Sequence, residues 1–249
     1  MSGHSKWATI KHKKGAADKA RGKLFAKIAR QIEVAAREGG GDATSNATLR
    51  TMVGKAKAAQ MTNDAIDRAI KRGTGEGDGG TYEAITYEGY APGGVALMID
   101  VLTDNRNRTG SDIRGVFSKL GGSMAEPGAV GWQFSRKGVI YVPGSVGEDD
   151  LMLAAIDAGA DDIARDGADW RVTSGPAVVF DVKDGIEAAG IEVTSAESTM
   201  VSSNVVEVTD VDDARKILRI VDALEDNDDV QDVYSNFDIP ESVLETVEA

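Results

Sequence analysis

The 249-residue chain contains no cysteine, which excludes disulfides, thiolate metal sites and cysteine nucleophiles. That absence fits a reducing compartment. Histidine is almost as scarce: only His4 and His12 occur, both among lysines and far from any acidic ligand. Such imidazoles make a poor zinc site, and neither is placed to be oriented by a buried carboxylate in a Ser-His-Asp arrangement. No run approaches the roughly 18 apolar residues a membrane helix needs. The basic N-terminus is not followed by the apolar stretch of a secretory signal. A cytoplasmic protein is expected. With 41% hydrophobic and 28% charged residues, the chain can bury real cores, and its length suggests two or three domains.

What is present is a charge reversal. Residues 1–75 carry 16 Lys/Arg against 6 Asp/Glu, a net of +10, whereas residues 76–249 carry 12 against 35, a net of −23. A compact basic module implies an anionic partner, most often a polyphosphate backbone. The acidic remainder would be repelled by that partner.

The basic module reads as helical. Leu24, Phe25, Ile28, Ile32 and Ala36 recur at helical spacing between Lys23 and Arg37, and Gly39-Gly40-Gly41 stops the helix. A second helix is expected over about Asn46–Gln60 and a third from Thr62, as N-cap, to Gly73. Residues 2–20 lack an apolar period and read as a basic arm. Beyond the glycine-rich stretch 73–80, strands alternate with helices. Strands are expected at Thr81–Glu88, Val95–Leu102 and Val130–Phe134, with a helix through Ile113, Val116, Phe117 and Leu120 closed by Gly121-Gly122. Near the C-terminus come a strand at Val205–Val208, a capping box at Thr209–Asp212, a helix through Leu224 and a strand at Val230–Asn236. Between these halves lie Val139–Val142 (strand), Leu151–Ala158 (helix) and one or two strands within Asp161–Thr173. Ala177–Val182 (strand), Gly185–Ala189 (helix) and Ile191–Met200 (strand) follow. The predicted fold class is α+β: an N-terminal three-helix bundle followed by two ferredoxin-like α/β sandwiches, one inserted in the other. The expected domains are 1–75, 81–135 plus 204–240, and an inserted 136–203.

Gly75-Glu-Gly77-Asp-Gly79-Gly80 matches the dinucleotide fingerprint, but it follows a helix, precedes a strand and contains two carboxylates, so it reads as a hinge. The acidic clusters at 148–150, 161–162 and 225–229 lack the glycine and downstream glutamate of an EF-hand loop and read as solvated surface and turn residues. No metal, cofactor or catalytic residue is expected. The basic features are more telling. Lys23, Lys27, Arg30 and Arg37 fall within about 80° of one another at roughly 100° per helical residue, opposite the apolar stripe. The arm adds Lys6, Lys11, Lys13, Lys14, Lys19 and Arg21, with Trp7 and His12 among them, an indole suited to stacking on a base. Residues 6–37 hold ten Lys/Arg against two acids, which favours nucleic-acid binding over simple solubility, the alternative being a plain basic tail. Arg106 and Arg108 sit where a strand hands over to a helix and oppose its dipole by a few tenths of a kcal/mol each. Either they hold an anion with free backbone amides or they pair internally with Asp100, Asp104 or Asp112.

Several of these segments resemble the YebC/PmpR family. They are Gly3-His-Ser-Lys-Trp-Ala-Thr-Ile-Lys-His12, Arg21-Gly-Lys-Leu-Phe25, Ala35-Ala-Arg-Glu-Gly-Gly-Gly-Asp42 and Arg68-Ala-Ile-Lys-Arg-Gly-Thr-Gly75. Tyr87-Glu-Gly-Tyr-Ala-Pro-Gly-Gly94, Thr103-Asp-Asn-Arg-Asn-Arg-Thr109 and Arg136-Lys-Gly-Val-Ile140 complete the set. Thr62 departs from the proline relatives often carry before the third helix; either residue opens a helix. The resemblance implies a helical domain followed by two α/β domains, a cytoplasmic location and no enzymatic activity. Some members of that family are described as transcriptional regulators binding promoter DNA. Others act in translation on the ribosome, contacting rRNA or tRNA and easing synthesis of proline-rich stretches. The resemblance supplies no set of base-reading residues, so the candidate residues rest on charge and position alone.

Overall fold

A computed structural model describes residues 17–76 and 80–248. Three helices come first: α1 (Ala17–Gly39), α2 (Ala47–Ala58) and α3 (Asn63–Gly73). α1 begins inside the stretch read as an arm. It ends as expected, with Gly40 at φ 85° donating its amide to the Ala36 carbonyl at 2.9 Å. Asn46 joins the first two helices. Its Oδ1 accepts from Leu49 N at 3.0 Å as the α2 cap, while its Nδ2 donates to the Ala35 and Gly40 carbonyls at 2.8 Å each. Thr62 caps α3, its hydroxyl accepting from Ala65 N at 3.3 Å. Ile28, Ile32, Leu49, Ile66 and Ala69 form the shared core. Gly73 lets α3 lie against α1, because a Cβ there would meet the Glu33 carbonyl oxygen at 2.4 Å.

The first sheet is built from β1 (Glu83–Ala91), β2 (Val95–Thr103), β3 (Ser123–Ala125) and β9 (Val230–Ser235) in the order β3-β1-β2-β9, every neighbour antiparallel. One face packs on α4 (Arg106–Leu120), α7 (Val211–Glu225) and α8 (Glu241–Glu248) through Leu97, Ile99, Phe117, Ile217 and Leu244. Ala96, Met98 and Tyr234 on the reverse face meet Val130 and Phe134. β2 is therefore buried on both faces, as its nearly continuous apolar run implies. A short parallel pair, β8 (Val206–Glu207) with β10 (Phe237–Asp238), forms a separate two-stranded sheet.

The second sheet comprises β4 (Phe134–Val142), β5 (Asp162–Asp166), β6 (Asp169–Ser174) and β7 (Ser195–Ser202) in the order β5-β6-β4-β7. With α5 (Glu148–Asp157) after β4 and α6 (Val179–Ala188) after β6, this is the ferredoxin-like β-α-β-β-α-β plan. The first sheet has the same spatial arrangement with different wiring. Its two central strands, β1 and β2, are joined directly through the turn at Pro92–Gly94, and the second unit is spliced in after β3.

Three local expectations are corrected and one helix is added. Val130–Phe134 is not a strand: Gly131–Gln133 form a 3₁₀ turn, and the third strand is Ser123–Ala125. The turn forms because the Glu88 carboxylate captures three amides of this segment, as described below. Ala177–Val182 is not a strand either. The run opens α6, whose buried Val179, Val182 and Ile186 recur at helical spacing and leave Phe180 exposed. The cap of α7 is Asp210, whose side chain accepts from Asp213 N at 2.9 Å, one residue beyond the expected Thr209. The C-terminal α8, which sequence reading left unassigned, returns Val243 and Leu244 to the first core.

Candidate nucleic-acid interface

The cationic face of α1 does not look into open solvent. It lies on the turn that follows α7, at Glu225–Asp229. Lys23 donates to the Asp226 carbonyl at 3.0 Å and pairs with its carboxylate. Lys27 donates to the Glu225 carbonyl at 2.7 Å. Arg30 donates through Nη1 to the Asp228 carbonyl at 2.9 Å, the Leu102 carbonyl at 3.1 Å and Asp229 Oδ1 at 3.1 Å, and stacks over the Tyr82 ring. The chemistry explains the docking. The C-terminus of α7 carries acids and no basic residue in its last turn, so its dipole and its own side chains are both negative there. α1 supplies the missing cations. Burial lowers the Lys27 pKa, opposed by the neighbouring Glu225, Asp232 and Asp228.

Asp229 is the hub of this contact. It is buried, and besides Arg30 it accepts from Arg108 Nη2 at 2.7 Å, Thr109 Oγ1 at 2.7 Å and Thr103 Oγ1 at 3.2 Å. Burial alone would raise its pKa, but these donors outweigh it and hold the carboxyl below its ordinary value. Arg108 also pairs with Asp104 at 2.8 Å, and Arg106 with Glu83 at 3.4 Å. Of the three internal partners expected for these arginines, the structure uses Asp104 and adds Asp229 and Glu83. At the start of α4, Asn105 meets two amides: its Oδ1 accepts from Arg108 N and its carbonyl from Thr109 N, both at 3.1 Å. Arg37 donates to the Gly80 carbonyl and shares the buried Glu33 carboxylate with Arg72, at 3.2 and 3.1 Å.

Of the expected residues, the structure thus gathers Lys23, Lys27, Arg30 and Arg108 around one acidic turn and leaves Arg37 and Arg106 apart from it. Arg21 is exposed. Lys6, Trp7, Lys11, His12, Lys13 and Lys14 lie outside the described residues. Outward-facing cations of the helical unit that sequence reading did not single out are Lys57, Arg68 and Lys71, all exposed. Their positions on α2 and α3, away from the apolar stripes, were the available signal. The turn at 225–229 is legible in the sequence as an acidic cluster spanning a helix-to-strand turn; that the cations of α1 meet it is shown only by the structure.

Where the three units meet, a cleft of about 530 Å³ is bordered by Lys23 and Lys27 of α1, Tyr141 of β4, Glu197 of β7 and Asp232 and Tyr234 of β9. Asp100 and Asp232 lie directly opposite each other on β2 and β9. Burial raises the Asp100 pKa, and Asp232 adds to it against the Thr86 hydroxyl, which donates to Asp100 at 2.8 Å. Burial likewise raises Glu197. Among the described residues no group of three His, Asp or Glu converges to hold a metal ion, and no helix is long and apolar enough to cross a membrane.

Comparison with known proteins matches residues 5–76 to the TACO1/YebC protein N-terminal domain and residues 82–237 to the TACO1/YebC second and third domain. A probable transcriptional regulatory protein of Rubrobacter xylanophilus is 58% identical over 249 residues, covering 99% of each chain. One of Citrifermentans bemidjiense, bearing the same description, is 50% identical across 98% of this chain and 99% of its own. A crystal structure of a conserved hypothetical protein from Aquifex aeolicus superposes with a TM-score of 0.78 at 43% identity, covering 92% of this chain and 95% of that one. Both halves of the sequence, and the fold that joins them, place the chain in the TACO1/YebC family.

Proposed function

We propose that this protein is a non-enzymatic, cytoplasmic regulator of gene expression that binds nucleic acid through its basic N-terminal segment and the outward surface of the helical unit. The observation that carries the reading is the division of charge, +10 before residue 76 and −23 after it. The docking of α1 refines it. Lys23, Lys27 and Arg30 are engaged by the acidic turn, so the phosphate-binding role falls first to Lys6, Lys11, Lys13, Lys14 and Arg21, with Lys57, Arg68 and Lys71 as the exposed cations behind them. The regulatory names of the relatives agree with this role.

Salt-dependent binding tests it. Replacing Lys11, Lys13 and Lys14 with alanine removes about 0.9 per lost phosphate contact from the log–log salt slope on duplex DNA. Lys23→Ala with Lys27→Ala leaves that slope near the wild-type value. An unchanged slope in the triple variant overturns the assignment. A second reading, a ribosome-associated factor contacting rRNA or tRNA, draws on one feature. The basic segment is rich in lysine and poor in base-reading side chains, which suits backbone recognition. Sedimentation of cell extract through a sucrose gradient separates the two. Comigration with ribosomes that resists DNase and is released by high salt supports translation; recovery only on particular promoter fragments supports transcription.

A further inference from the structure

Trp132 is 71% exposed, more than any other large hydrophobic side chain among the described residues. An indole left in water forgoes on the order of 2 kcal/mol or more of burial, so its display calls for a reason. It is also held still. The Glu88 carboxylate, buried on the central strand β1 of the first sheet, accepts from the amides of Gly128, Val130 and Gly131 at 2.7, 2.6 and 2.9 Å. These three bonds fix the 3₁₀ turn that carries Trp132. The indole Nε1 donates to the Ala129 carbonyl at 3.1 Å, and the hydroxyl of the half-exposed Tyr90 donates to the same oxygen at 3.2 Å. One carbonyl therefore anchors the polar edges of two aromatic side chains, which are already satisfied. What remains for a partner is the ring faces, already ordered, which is how an interface anchor is built.

We propose that the Tyr90–Trp132 pair is a docking point for a basic protein segment, an arginine or lysine side chain lying on the Trp132 face. Charge selects this occupant. The pair belongs to the part of the chain with a net charge of −23, and the exposed Glu126 starts the same loop, while Arg136, four residues beyond Trp132, is engaged with Tyr234 and Asp100. A phosphate backbone is repelled there, whereas a guanidinium gains from both the long-range field and the ring quadrupole. Nucleic acid on the helical unit and a basic protein on this loop would make the molecule a bridge between the two.

The test is a titration of the ¹⁵N-labelled full-length chain with a twelve-residue peptide alternating Arg and Gly. Indole NH signals are followed, with the buried Trp170 as internal control. The Trp132 signal is expected to move saturably while that of Trp170 stays in place. Trp132→Ala, which removes an exposed side chain and leaves the fold intact, weakens binding roughly two- to fivefold, the range for a surface cation–π contact. Equal affinity of Trp132→Ala and wild type overturns the proposal, as does peptide binding that leaves the Trp132 signal unmoved. A Trp132 shift produced by oligouridine but not by the peptide also overturns it, in favour of base stacking. Self-association of wild type abolished by Trp132→Ala overturns it in favour of a second copy.

Discussion

The two α/β units each build a four-stranded antiparallel sheet yet treat it differently. In the first, β2 is closed in on both faces, by α4, α7 and α8 on one side and by Val130, Phe134 and Tyr234 on the other. In the second, helices cover one face, and β6 alternates between buried and half-buried positions. The difference extends to charge. The first unit buries carboxylates and satisfies them, Glu88 with three amides and Asp229 with two arginines and two threonines. The second keeps the acids at the start of α5 exposed. A sheet enclosed on both sides becomes the rigid frame on which the other parts are mounted: the helical unit through Asp229, the Trp132 turn through Glu88, the second unit through Phe134.

This contrast is broken most directly by matched core truncations. Ile99 on β2 and Ile140 on β4 are both fully buried. Ile99→Ala is expected to cost about 4–5 kcal/mol and Ile140→Ala about 2–3 kcal/mol in urea unfolding, because a cavity enclosed on both sides of a sheet relaxes less. Equal losses would remove the distinction. Glu88→Gln comes next, at about 1–3 kcal/mol, since the amide keeps the shape but loses the charge that three N–H groups address. Burial alone would raise the Glu88 pKa, but the amides hold it below its ordinary value. Its stabilisation is thus complete above the unfolded-state pKa, about 4.3, and disappears as pH falls through the lower folded value. Unfolding followed from pH 7 to pH 3 should show variant and wild type converging at the acid end. The smallest effect has the opposite sign. Asp100 faces Asp232 across the ladder, and its pKa is raised, so its penalty is present at neutral pH and fades as pH falls. Asp100→Asn, keeping the acceptor for Thr86, should stabilise the protein by roughly 0.2–1 kcal/mol at pH 7. That gain should shrink in mildly acidic buffer; a constant gain would assign it to packing instead.

Periodicity made most of the frame legible. The stripe of α1, the cap Thr62, the apolar run of β2 and the glycine stop after α4 each act within a few residues, where spacing is informative. The strand read at Ala177–Val182 failed because a short apolar run looks alike at the start of a helix and in a strand, and only packing against β4 and β6 separates them. The turn at Gly131–Gln133 failed because Glu88, more than forty residues earlier in the chain, dictates it. The cationic face of α1 was legible as a pattern and illegible as a contact, for charge on a helix does not say which anion it meets.

The sequence by itself determined the charge division, the helical character of the basic module, the strand–helix alternation and the family resemblance, because all of these are local in the chain. Tertiary structure alone decided that Lys23, Lys27 and Arg30 spend their charge on the turn at 225–229. It alone decided that Asp229 joins α1 to α4, and that Glu88 and Ala129 hold two aromatic rings out to solvent. Those outcomes depend on groups brought within hydrogen-bonding distance across as many as 203 residues, a proximity no spacing rule encodes.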